Sequence, residues 1–137
     1  MSFLFLTKEE VIQIQARLID EFGGTHGLRD EGALESALKV AGNREYYENA
    51  DLATCSATYA YHLTKAHAFI DGNKRIAAAV AEIFLEINGA QLNTTNEKII
   101  KLFLNIADGK ITREAVEQVF RQRVAGLHIV DSNPEIE

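Results

Sequence analysis

No proline occurs before residue 134; the single one, Pro134, lies near the C-terminal end. Nothing upstream therefore breaks a helix by removing an N–H donor, and punctuation falls to glycine and to capping side chains. Thr7 followed by Glu10 is a capping-box pattern, after which Val11, Ile14, Leu18 and Phe22 recur at helical spacing until Gly23-Gly24. Asp30 is placed to cap a short second helix with Leu34, Ala37 and Leu38 on its inner face. A polar stretch from Gly42 to Ala50 is expected to follow it. Asp51 caps a third helix carrying Leu52, Tyr59 and Leu63. A fourth begins near Asn73, shows Ile76, Val80, Ile83, Phe84 and Ile87, and stops at Asn88-Gly89. Ile99, Leu102, Phe103 and Ile106 mark a fifth, closed by Asp108-Gly109, and Thr112 caps a sixth with Val116, Val119 and Phe120 inward. The expected architecture is one all-α domain of about six helices over residues 1–126, with strands only in short pieces and a C-terminal tail over 127–137.

A net charge of −6 argues against a general affinity for nucleic acid or an anionic membrane, though not against a local phosphate site. The lone Cys55 can form no internal disulfide and reads as a small buried group in a reducing compartment. The opening Phe3-Leu4-Phe5-Leu6 run is too short for a signal peptide and lacks a basic leader. No apolar stretch approaches the ~20 residues that cross a bilayer. A cytoplasmic location is the expectation.

The connector between the third and fourth helices, His67-Ala68-Phe69-Ile70-Asp71-Gly72-Asn73-Lys74-Arg75, is not a plain turn. The first N–H groups of a helix lack intrahelical partners and sit at the positive end of its dipole, which makes an anion site. Gly72 lets backbone approach a phosphate, and Asn73, Lys74 and Arg75 add donors there. Asp71 supplies a hard oxygen for Mg²⁺, His67 a base for an attacking hydroxyl, and Phe69 an apolar anchor for the loop.

Each residue alone has a plainer reading. A histidine at a helix end ordinarily caps carbonyls, Asp71-Gly72 is a common turn pair, and Lys74 and Arg75 would be solvated surface charges. Cations are nevertheless disfavoured at a helix start by some tenths of a kcal/mol, so their presence favours an expected anion. His62 and His67 stand about 140° apart around a helix and share no face as zinc ligands. Lys74 makes no P-loop, because the first glycine, the hydroxyl residue and the preceding strand are missing. Neither His26, between Gly24 and Gly27, nor His128 in the tail acquires a role.

The connector is similar, at every specified position, to the Fic/Doc signature His-x-Phe-x-(Asp or Glu)-Gly-Asn-(Gly or Lys)-Arg. The stretch from Gly27 to Leu38, with Gly32 inside it, also resembles the second helix of Doc-type toxins. The resemblance implies a Fic/Doc-like fold and an enzyme that modifies protein hydroxyl groups with a nucleotide. His67 would be the general base, Asp71 the Mg²⁺ ligand, and Gly72, Asn73, Lys74 and Arg75 the anion hole for the phosphates of ATP. Residues 42–49, with Arg44, Tyr46 and Tyr47, would be the flap that holds a target segment by strand-like main-chain pairing.

Two departures from AMP-transferring members matter: Lys74 where those have glycine, and Ala78 where those have a second arginine. Both resemble the Doc branch, which implies transfer of a γ-phosphate from ATP to a Ser or Thr hydroxyl of a translation elongation factor resembling elongation factor Tu, halting translation. The inhibitory pattern (Ser or Thr)-x-x-x-Glu-(Gly or Asn) of many Fic proteins does not occur, so control is expected from a separate antitoxin that folds over an apolar groove. Two alternatives stay open: AMP transfer by the same base, and a non-catalytic phosphate-binding module.

Overall fold

A computed structural model describes residues 2–126. The tail expected from residue 127 onward lies outside the described residues. The six helices are α1 (Lys8–Phe22), α2 (Glu31–Glu48), α3 (Leu52–Ala66), α4 (Asn73–Ile87), α5 (Asn96–Ala107) and α6 (Arg113–Arg123). Two short strands, β1 (Ala90–Leu92) and β2 (Val124–Gly126), pair antiparallel with Ala90 opposite Gly126 and Leu92 opposite Val124. The chain is all-α, as the periodicity predicted.

The expected caps form. Thr7 accepts from the Glu10 N–H while the Glu10 carboxylate accepts from the Thr7 N–H, completing the box. Asp30, Asp51 and Thr112 each accept from an N–H in the first turn of α2, α3 and α6. Each satisfies a donor that the helix itself cannot.

The middle helix organises the rest. α3 packs against α2, α4, α5 and α6, and its residues from Ala53 to Ala60 are buried without a break. Most are small, which lets neighbouring backbones approach closely. Its polar members are matched internally: Thr58 donates to the Thr54 carbonyl, Thr64 to the Ala60 carbonyl and Ser56 to the Ala81 carbonyl of α4. Cys55 is fully buried and burial pushes its thiol up to about 12, so it stays protonated, as its sequence context suggested. Phe84 of α4 meets Tyr59, Phe5 and Phe3 in an aromatic cluster, so the apolar N-terminal run is part of the core. No helix among the described residues is long and apolar enough to cross a membrane.

The second helix corrects the sequence reading. It does not stop at Gly42 but continues to Glu48, where Asn49 closes it in the left-handed region. Ala41 is fully buried, and the Arg44 guanidinium donates to Thr58 and to the buried Glu117 of α6. Glu117 also pairs with Arg113 at 3.3 Å, so this polar cluster ties α2 to α3 and α6. Tertiary contact thus outweighs the roughly 1 kcal/mol that a helical glycine costs. Strand-like pairing at 42–48 is excluded, because a helix uses its own main-chain donors and acceptors. Arg44 is a structural cation, and Tyr46 and Tyr47 are exposed aromatics on a helix, edge to face at 4.7 Å.

Candidate active site

His67 follows α3 as its cap, in the left-handed conformation (φ 49°, ψ 43°), and its side chain is exposed. A β-carbon makes that backbone state unfavourable by roughly 1–2 kcal/mol, so something must hold it. Arg29 does so from the loop before α2. Its Nε and Nη2 donate to the His67 carbonyl oxygen at 3.1 and 2.8 Å. Main-chain pairing continues alongside. The Arg29 and Asp30 N–H groups donate to the Ala68 carbonyl and the Ile70 N–H to the Gly27 carbonyl, with Leu28 opposite Phe69. The extended backbone beside the motif therefore lies at residues 27–30, not at the expected 42–49.

Phe69 is 2% exposed and anchors the loop from below. The Asn73 side chain grips the same residue twice: its Oδ1 accepts from the Phe69 N–H at 3.0 Å and its Nδ2 donates to the Phe69 carbonyl at 2.9 Å. Asn73 was expected to offer its side chain to a phosphate. That side chain staples the loop with its oxygen and one of its two N–H donors, which leaves the second and the backbone N–H for an anion.

Gly72 is left-handed (φ 73°) at the start of α4, with no side-chain cap over the first turn. The opening N–H groups of α4 consequently face outward beside exposed Lys74 and Arg75. The Arg75 guanidinium lies over the Phe22 ring, 4.7 Å from its centroid, and Phe22 is 57% exposed at the end of α1. Such a stack restricts the guanidinium and is worth about 0.5–1 kcal/mol at an exposed site. If ATP is the nucleotide, as the motif's resemblance implies, Phe22→Ala is expected to raise its KM about two- to fivefold by this amount, with Phe22→Tyr restoring it. An unchanged KM in Phe22→Ala would refute the positioning role.

The Asp71 carboxylate is oriented by backbone. Its Oδ1 accepts from the Gly72 N–H at 2.9 Å and its Oδ2 from the Thr25 N–H at 3.1 Å. Gln15, almost fully buried in α1, donates to the Asp71 carbonyl at 3.3 Å. No group of three potential metal-ligating side chains gathers among the described residues. A single exposed carboxylate with spare lone pairs, next to an anion site, fits Mg²⁺ shared with phosphate oxygens rather than a closed protein cage.

Lys74 and Arg75 also edge a cavity of about 270 Å³ whose other wall is Ile99, Ile100, Phe103 and Leu104. It joins cations to apolar surface. The structure thus brings His67, Asp71, Gly72, Asn73, Lys74 and Arg75 into one loop and one helix start, and sets Arg44, Tyr46 and Tyr47 apart on α2. Sequence reasoning missed Phe22, Gly24, Thr25 and Arg29 as supporting residues. Only Arg29 had a signal, its place in the stretch that resembles the second helix of Doc-type toxins.

The sequence profile of the Fic/DOC family matches residues 5–85. Protein kinase doc of Escherichia phage P1 is 33% identical over 118 residues, covering 85% of this chain and 93% of that protein. Toxin Doc of Mycolicibacterium smegmatis is 41% identical over 73 residues, covering 52% of this chain and 56% of that protein. This chain belongs to the Fic/Doc family, on its Doc branch.

Proposed function

We propose that this protein is a Doc-type toxin that moves the γ-phosphate of ATP to a Ser or Thr hydroxyl of a target protein. The observation that carries the reading is an exposed histidine, held by Arg29, one short loop away from an uncapped helix start bearing Lys74 and Arg75. The names of the two relatives, a protein kinase and a toxin, support the same assignment.

The target hydroxyl oxygen attacks the γ-phosphorus, the bond from that phosphorus to the β,γ-bridging oxygen breaks, and ADP leaves. The hydroxyl proton passes to a ring nitrogen of His67. The N–H groups of Asn73, Lys74 and Arg75 with the Lys74 and Arg75 side chains stabilise charge on the phosphate oxygens. Mg²⁺ held through Asp71 would neutralise part of the triphosphate charge. The apolar wall of Ile99, Ile100, Phe103 and Leu104 suits the nucleobase. Lys74 fills space in the anion hole and adds charge, which favours presentation of the terminal phosphorus. A translation elongation factor remains the proposed target, a separate antitoxin the proposed partner, and the cytoplasm the proposed location.

AMP transfer would use the same base on the α-phosphorus with pyrophosphate leaving. Incubation with Mg²⁺, bacterial lysate and either α- or γ-³²P-ATP separates the two. The expected result is one labelled protein band with γ-label only. An α-labelled band would replace the kinase reading by AMP transfer. No band with either label, with a lysate that contains the target, would leave a phosphate-binding module.

A further inference from the structure

Loss of the expected flap on α2 leaves open where a target protein holds on. Apart from the motif, the last turns of α3 border two further cavities, of about 520 and 280 Å³, that share His62 and Lys65. The larger runs between α3 and the α5–α6 connection, with Lys110 and Arg113 on its far rim; the smaller runs between α3 and α2. Together they make an open trough across three helices, reaching Ala66, the residue before His67 in the chain.

The charge of this trough opposes that of the whole protein. Arg113 is matched by Glu117 at 3.3 Å and more loosely by Glu114 at 3.9 Å. Lys65 and Lys110 are exposed and have no carboxylate within 4 Å among the described residues. Two unneutralised cations thus flank one opening in a chain of net charge −6. His62 adds an unmet polar group: its Nε2 is buried without a hydrogen-bond partner among the described residues. Burial, helped by the nearby Arg113 and Arg44 charges, lowers its pKa, so the ring is neutral near pH 7 and offers one donor and one acceptor.

We infer that this trough is the docking site for an acidic segment of the protein substrate, gripped by Lys65 and Lys110. The inference rests on the proposed transferase reading, since it names how that reaction's protein substrate is held. A nucleotide is the poorer fit, because the proposed reaction already places the triphosphate at the start of α4. The trough is open, as an extended chain requires. Charge complementarity of this kind acts mainly on encounter and specificity and weakens with salt.

The test uses the full chain and a fluorescein-labelled poly-glutamate peptide read by anisotropy. The wild type is expected to bind the peptide with an affinity that falls as salt rises. Lys65→Gln with Lys110→Gln should weaken binding about tenfold. The control pair Lys98→Gln with Lys101→Gln, which removes the same charge from α5, should leave it within about twofold. His67→Asn, which keeps the left-handed backbone at that position, should bind like the wild type, which separates docking from chemistry. In the transfer assay the Lys65/Lys110 pair should raise the KM for the protein substrate about tenfold and leave kcat and the KM for ATP unchanged. No peptide binding by the wild type, equal loss in the two lysine pairs, or no loss in the first would overturn the inference. Absence of any transfer activity would count against the kinase reading instead, because the peptide measurement does not depend on it.

Discussion

Replacing His67 is expected to lower phosphate transfer by 10²- to 10⁴-fold, the usual contribution of a positioned general base, while ATP binding persists. The choice of substitution matters because of the backbone. His67 sits in the left-handed region, where alanine is disfavoured, so His67→Ala disturbs the loop as well as removing the ring. Asparagine accepts that conformation far more readily and has no comparable basic nitrogen. A comparable loss in His67→Asn and His67→Ala would therefore assign the effect to the imidazole. Calorimetric titration with ATP should show affinities within about threefold of the wild type for both, since the phosphate donors on α4 remain. Full activity in the asparagine variant would remove His67 from the chemistry and leave it as a cap of α3.

Those features of the fold written in neighbouring residues were legible beforehand. Capping is a matter of three or four positions, so Thr7, Asp30, Asp51 and Thr112 declared the starts of four helices. The motif was legible for the same reason, since its members follow one another in the chain. What escaped depends on contacts distant in sequence. The last two turns of α2 look like a polar linker until Glu117 and Thr58 are placed beside Arg44. Arg29 reaches a carbonyl 38 positions away, and its place in the Doc-like stretch from Gly27 to Leu38 marks it without showing which atom it holds. Asn73 is legible as a donor, but its second task is not: its two side-chain bonds to Phe69 appear only when the loop is folded. The position of Phe22 under Arg75 is equally invisible, because its helical spacing assigned it to the core, whereas it is exposed at the rim of the site.

Gly24→Ala is expected to cripple the site by a different route. Gly24 has φ +120°, and a β-carbon there would stand 2.8 Å from the Asp71 Oδ2 and 3.0 Å from the Ile19 Cδ1. Real β-carbons do not approach so closely, so the carboxylate must leave the Thr25 N–H that now orients it. Asp71 is the proposed Mg²⁺ ligand, and loss of an orienting partner typically lowers metal affinity or activity 10- to 100-fold. The expected result is transfer reduced by up to about 100-fold at limiting Mg²⁺ and partly restored at high Mg²⁺. Backbone strain adds roughly 1–3 kcal/mol of instability, which by itself could lower activity through unfolding. Gly23→Ala supplies the comparison: Gly23 also has a positive φ (+90°), but a β-carbon there meets nothing within 4 Å. It carries the strain without the collision, so it should lose stability and keep the wild-type Mg²⁺ dependence. A Mg²⁺ titration of transfer in the two variants decides the matter. Coinciding curves would mean that the carboxylate does not depend on Gly24 for its place, and the α1–α2 loop would lose its part in building the site.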